Sequence, residues 1–416
     1  MPTAAVLLLG TCDTKLQELL FLKDQVRRQG SIKAILLDVG RDKVDHEGID
    51  ISQGQLVTDY GDGKTTADLP RAEVIKFMAK CASCAVKQLF EKAEIHGIIN
   101  AGGSGGTSLA AEVMRNVLPI GFPKMIVSTV ASGDTGPIVG ETDITMVYSV
   151  VDVAGLNQVL RDILNNAGAA IGAAALAYAS RVGKSDEGST QPKKRVGITM
   201  FGVTTPGVDA IRYHLESKYD FEIFVFHATG HGGKAMEKLV RQGMLDAVLD
   251  LTTSEICDLH TGGVMPCGPG RLEAAAEAGI PNVVSLGASD MTNFGPKDTV
   301  PERYQGRNLY QHNSMVTLMR SSEEDSRQVG HFICEKLKSH AKRPEMVQVW
   351  LPLGGVSMLA TPGGPFVDEK ADNVLFSTVK EGLAGSGIKV VEDKRDINDK
   401  GFSHDIAEAL AMLMDL

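Results

Sequence analysis

The same order of elements is set down twice along this chain, and that repetition limits the folds open to it. The first half opens with the apolar run AAVLLLG, the polar loop TCDTK, the helical stretch LQELLFLKDQVRRQG and a second apolar run, KAILLDVG. The second half opens with RVGITMFG, the loop VTTPG, the helical VDAIRYHLESKY and the run FEIFVFHATG. Further on, GFPKMIVSTVASGD (121–134) matches GIPNVVSLGASD (279–290), and DITMVYSVVD parallels NSMVTLMRSS. A repeat this long is a domain rather than a solenoid unit. Continuous apolar strands alternating with helices imply mostly parallel sheets covered on both faces, and right-handed crossovers give a Rossmann-like or flavodoxin-like plan. The predicted fold class is α/β: two related Rossmann-like domains, their mostly parallel sheets covered by helices. The polar, non-periodic run RVGKSDEGSTQPKKR separates them. This predicts a domain at 1–182, a linker at 183–194 and a second domain at 195–416.

Composition narrows the partners. The net charge is −10 and no dense Lys/Arg stripe occurs, which argues against nucleic acid, whose phosphates demand a basic footprint. No run approaches the ~18 consecutive apolar residues of a spanning helix, so no membrane is expected. The nearest run, NNAGAAIGAAALAYAS (165–180), suits a helix packed tightly on its neighbours and is also a candidate dimer surface. The opening MPTAAVLLLG lacks a basic segment, so no signal peptide is expected and the expected location is cytoplasmic. Cys81 and Cys84 form a C-x-x-C without a second ligand pair and read as helix-packing residues.

In parallel α/β sheets, ligands collect beyond the carboxyl ends of the strands. Those loops fall here at 11–15, 38–41, 101–108 and 128–134, then at 203–207, 227–234, 252–263 and 286–294. AGGSGGTS fits neither G-x-x-x-x-G-K-[ST] nor G-x-G-x-x-G. Its glycines would still let backbone approach a ligand. Thr107 or Ser108, capping the helix SLAAEVMRN, would aim free N–H groups at an anion. The alternative is a close strand–helix turn. In TCDTK, Thr14 and Lys15 offer donors to phosphate. Asp13 holds Mg²⁺ through water, fixes a loop by accepting backbone N–H bonds, or caps the helix. Asp38 ends the second strand, where an acidic residue commonly takes ribose hydroxyls or makes an Asx turn. Ser128, Thr129, Ser132, Asp134, Thr142 and Asp143 complete a wall suited to a nucleotide, with a divalent cation bridging its phosphates to Asp13 or Asp134.

The second half carries different chemistry. Its loops hold His227, His231, Glu255, Asp258, His260, Asp290, Asn293, Glu302 and His312, in no known zinc spacing. His231, Glu255, His260, Asp290 and Glu302 form the candidate catalytic set, with His231 or His260 as acid/base beside Glu255. They would act on a small carboxylated or phosphorylated metabolite. No G-x-S-x-G elbow supports acyl-enzyme chemistry, and whether the chain is an enzyme stays open. VWLPLGGVSMLATPGGPFVD (349–368) reads as a strand and a long Gly/Pro loop able to cover a pocket.

GTCDTK, GGSGGTSLA, STVASGD, DITMVYSVVDVAGLN and VPERYQGRNLYQHN, in this order, resemble a family of uncharacterised two-domain proteins. The N-terminal ATP-binding domain of the tomato mosaic virus resistance protein is similar to that family. The resemblance spans essentially the whole chain. It implies a homodimer and ATP held in the first half by Gly10, Thr11, Asp13, Thr14, Lys15, Asp38, Gly102, Gly103, Ser104, Gly105, Gly106 and Thr107. It implies no reaction, because ATP binding in this family is not tied to hydrolysis.

Overall fold

A computed structural model describes residues 4–67, 69–182 and 193–416. They form two compact units, one within Met1–Ser189 and one within Thr190–Leu416. The predicted linker lies outside the described residues except for Lys193 and Lys194.

The first unit runs β1 (Ala4–Gly10), α1 (Cys12–Arg27), β2 (Ile32–Asp38), α2 (Gln53–Tyr60), α3 (Arg71–Glu91) and β3 (Gly97–Gly102). It continues with α4 (Ser104–Val117), β4 (Lys124–Ser128), α5 (Gly136–Val139), β5 (Thr145–Tyr148) and α6 (Gln158–Val182). Its five strands are ordered β2-β1-β3-β4-β5, and all pair in parallel. β1 shows why every residue of such a strand is apolar. Val6 and Leu8 enter one core with Leu19 and Leu22 of α1 and Leu164 of α6. Leu7 and Leu9 enter the opposite core with Met78 of α3 and Leu109 of α4. Both faces are covered, so the period of two brings no polar side out.

α6 uses its small residues inside the unit. A Cβ on Gly168 would stand 2.7 Å from Cβ of Gln25, and one on Gly172 3.0 Å from Cβ of Gln29. Gly168 and Gly172 thus let α6 pack closely on the end of α1 and the turn after it.

The second unit comprises β6 (Arg195–Met200), α7 (Thr205–Tyr219), β7 (Glu222–His227), α8 (His231–Arg241), β8 (Ala247–Thr252), α9 (Ser254–Thr261) and α10 (Ala274–Ala278). Then follow β9 (Asn282–Gly287), β10 (Met291–Phe294), β11 (Leu309–Asn313), β12 (Val316–Arg320), α11 (Glu323–His340), β13 (Val347–Pro352), α12 (Glu369–Gly382), β14 (Lys389–Asp393) and α13 (Lys400–Leu413). Its parallel sheet is ordered β14-β13-β9-β8-β6-β7, so its first four strands repeat the order of the first unit. The α/β class and the relatedness of the halves are seen directly in this topology.

The repeat breaks in one place. β5 pairs in parallel with β4, whereas VTLMR of the segment NSMVTLMRSS forms β12, the middle strand of an antiparallel sheet β10-β12-β11. The position equivalent to β5 belongs to β13, beside β9. The matched pattern had marked a strand without marking its partner, because one apolar run suits either pairing.

Candidate functional site

The strand order of the first sheet reverses between β1 and β3, and a crevice opens at such a switch point beyond the strand ends. Register brings three ends level. Gly10 lies beside Asp38, Leu9 beside Asn100, and Gly102 beside Ser128.

The helix after β3 starts earlier than the sequence suggests. α4 begins at Ser104, with Gly103 as the residue before it and no side-chain cap. Thr107, expected as a cap, lies inside the helix, and its hydroxyl pairs with that of Ser128 at 2.6 Å. Ser108 is helical too. Ser104, Gly105 and Gly106 therefore make up an uncapped first turn, with the positive end of the helix dipole facing the crevice.

Nothing in the fold calls for glycine there. Gly102, Gly103, Gly105 and Gly106 all avoid positive φ. A Cβ at each would find its nearest neighbour at 3.7, 3.8, 3.4 and 4.0 Å, which is ordinary contact. Glycine inside a helix costs up to about 1 kcal/mol relative to alanine. Gly230 and Gly233 of the second unit behave otherwise: Gly230 has a φ of +83°, and a Cβ on Gly233 would fall 1.8 Å from Oε1 of Glu255. Those two positions require glycine, whereas the glycines of 102–106 meet only ordinary contacts.

Around this space, polar groups are left open. Asp38 is fully buried. Its Oδ1 accepts from the N–H of Cys12 at 3.0 Å and of Gly40 at 2.8 Å, while Oδ2 has no partner among the described residues. Burial pushes its carboxyl up, and Asp13 nearby adds to this against the two N–H bonds. Asp13 neither caps α1 nor stands free. Its Oδ2 accepts from the N–H of Arg41 at 2.8 Å and of Asp42 at 3.2 Å, and its buried Oδ1 is unpartnered. Asn100 donates to Leu9 O at 2.7 Å, and its Oδ1 is likewise unpartnered and buried.

Lys15 has left helical geometry, with φ −139° and ψ 28°, and its Nζ donates to Val153 O at 2.5 Å. The hydroxyls of Thr11 and Thr14 lie 3.1 Å apart. Thr129 donates its N–H to Gly102 O at 3.3 Å. Other expected residues turn away. Asp134 accepts from Gly136 N–H beside α5, and Asp143 pairs with Lys124 at the amino end of β4.

Three contributors are invisible to motif reading. Arg71, the first residue of α3, brings Nη2 to 3.9 Å from where a Cβ on Gly105 would stand. Asn100 is a polar residue within the buried strand GIINAG, which is the one signal that pointed to it. A cavity of about 630 Å³ adjoins the β2 exit, lined by Arg41, Lys43, Gln53 and Lys64 among others.

The candidate catalytic residues of the second unit each have contacts of their own. Glu255 is buried, receives Nε–H of Arg271 at 2.5 Å and accepts Gly230 N–H at 2.6 Å. Arg271, only 1% exposed, also binds both oxygens of Asp250. His260 packs edge-on to Phe332, and burial lowers its pKa. Asp290 takes Ser357 Oγ at 2.7 Å. Glu302 is exposed on a short turn at 302–304, and His231 begins α8. Their roles are set by partners distant in sequence, which loop composition cannot reveal.

The C-terminal domain description of Uncharacterised protein family (UPF0261) matches residues 193–414, and its N-terminal domain description matches residues 4–180. A UPF0261 protein of Clostridium tetani is 44% identical, over 99% of each chain. The ToMV resistance protein Tm-1(GCR237) of Solanum lycopersicum is 41% identical over 89% of this chain, a match covering 50% of that longer protein. Among solved structures, a UDP-N-acetylglucosamine 2-epimerase from Rickettsia bellii aligns with 68% of this chain and 79% of its own at TM-score 0.22 and 14% identity.

Proposed function

The chain belongs to the uncharacterised protein family UPF0261 over both of its domains, and from that premise we propose that its first domain is a nucleotide-binding module whose ligand is ATP. The observation that carries this reading is the glycine cluster 102–106, which neither backbone conformation nor packing requires. Glycines without a folding role, in the uncapped first turn of a helix at a sheet's switch point, are those a phosphate needs.

The residues present fit such a ligand. N–H groups at the start of α4 and the Arg71 guanidinium supply donors for phosphate oxygens. The unpartnered oxygens of Asp13, Asp38 and Asn100 supply acceptors for hydroxyls, or for water around a divalent cation. A buried acceptor without a partner costs about 1–3 kcal/mol, so a ligand that satisfies it recovers free energy. The cavity beyond β2 is linked to these acceptors through Arg41 and Asp42, which line it and whose N–H groups bind Asp13. ATP in this reading is bound and held, with no turnover assigned.

Isothermal titration of the full chain with ATP, ADP and NAD, each with and without Mg²⁺, tests the proposal. Micromolar ATP binding that Gly105→Ala weakens supports it. Equal affinity for ATP in the two proteins sinks the site, and absence of nucleotide binding sinks the function.

A further inference from the structure

A second cavity, of about 490 Å³, lies wholly within the second domain. Phe201, Gly202 and Val203, which line it, follow directly on β6, and His227 is the last residue of β7. It therefore occupies the carboxyl edge of the second parallel sheet, where ligands of such sheets collect. Its volume falls in the range of small-molecule sites. The remaining wall comes from the inserted antiparallel sheet, through Tyr310 and Leu318 among others, and from Met358 and Leu359 of the loop after β13. The long Gly/Pro loop thus covers a pocket, as its length suggested.

The lining decides what this cavity can hold. It is mostly apolar and aromatic, and none of its residues is acidic, although the chain carries a net charge of −10. Its polar members are donors: the imidazoles of His227 and His312, the Asn313 amide and the Tyr310 hydroxyl. Neither imidazole hydrogen-bonds to another described residue, while the His227 ring lies 5.5 Å from that of Phe201. A Cβ on Gly202 would meet nothing within 4 Å, so the wall there is open by choice of residue. Met358 is 51% exposed and Tyr310 38%, leaving large apolar surface at the cavity without a protein partner. A cation would find no counter-charge here. A highly polar sugar would leave the apolar wall uncovered.

We propose that this cavity binds a small organic acid with a flat apolar body, the body on the Phe201, Leu318 and Met358 wall and the acid group taken by the imidazoles of His227 and His312. None of its lining residues belongs to the proposed nucleotide site or to the His231, Glu255, His260, Asp290 and Glu302 set.

The test uses full-length protein with 2-naphthoate and its neutral relative 2-naphthamide, titrated by calorimetry, with melting temperature as the control for folding. The expected result is naphthoate binding with a Kd below about 1 mM, weakened ~10-fold or more by His227→Gln/His312→Gln, with naphthamide binding unchanged by that pair. Gly202→Val, which adds bulk to open space, is expected to weaken both probes by about 10-fold. Absence of naphthoate binding overturns the proposal. So does binding that survives both Gly202→Val and the histidine pair in folded protein. Equal affinity for the two probes removes the acid from the ligand class.

Discussion

Arg71 stands over Gly105: its Nη2 lies 3.9 Å from the point a Cβ on Gly105 would occupy. The start of α3 is thereby joined to the start of α4 across 34 residues of chain, with a guanidinium beside an uncapped helix end. A cation there gains little from the positive end of a helix dipole, so the contact is one that a bound anion would turn from neutral to favourable.

Removing that guanidinium should be felt by the ligand and not by the fold. Arg71→Ala is expected to weaken ATP binding by about 10–100-fold, the scale of one charge-assisted hydrogen bond. Because the side chain is exposed, the melting temperature should stay within about 1–2 °C. Calorimetry and a thermal melt on the same preparation decide it.

Gly105→Ala and Gly106→Ala should separate stability from binding. Each Cβ meets only ordinary contacts, and each alanine favours the helix by up to about 1 kcal/mol. Urea midpoints should hold or rise while ATP affinity falls ~10-fold. A fall in both would mean that the glycines serve the fold after all.

Arg271 is the charge that makes the second core possible. It is buried among Asp250, Glu255 and, at 3.6 Å, Glu237. Arg271→Met would leave Asp250 and Glu255 without their cation, and Glu237 with Arg241 at 3.7 Å, and breaking a buried network in this way costs about 3–5 kcal/mol. Chemical denaturation should report a loss of that size. A loss below about 1 kcal/mol would show that the carboxylates are relieved by protonation.

Asp258 ties stability to pH. Burial pushes its carboxyl up to about 6, against the bonds it accepts from Asn293 N–H and Met265 N–H. Its unfolded value is near 3.9, so between those pH values the folded chain holds a proton the unfolded chain has released. The stabilisation is full below about pH 4 and is lost as pH rises through about 6, up to about 3 kcal/mol in all. Asp258→Asn lacks this titration. The stability of the natural chain relative to the variant should therefore fall between about pH 4 and 7. Parallel pH profiles would rule out Asp258 as the source.

Local pattern carried the reading a long way. Eight of the strands of the two parallel sheets end at Gly10, Asp38, Gly102, Ser128, Met200, His227, Thr252 and Gly287, where loops rich in Gly, Thr, Ser, Asp and His take over. An apolar run shows where a strand lies because burial on two faces leaves no polar position. The same run does not say which strand it will pair with: VTLMR parallels β5 in pattern, yet it is the middle strand of an inserted antiparallel sheet.

The site divides along the same line. Sequence by itself determined the α/β repeat, the carboxyl edge of each sheet and the glycines that stand there. Those follow from periodicity and side-chain volume, which neighbours in the chain display. Tertiary structure decided which polar atoms are spent and which stay open. It turned Asp13 toward Arg41 N–H, Glu255 toward Arg271 and Thr107 toward Ser128. It left Asp38 Oδ2 and Asn100 Oδ1 without partners. A hydrogen bond demands approach to about 3 Å, and whether residues far apart in the chain come that close is settled only by how the strands and helices pack.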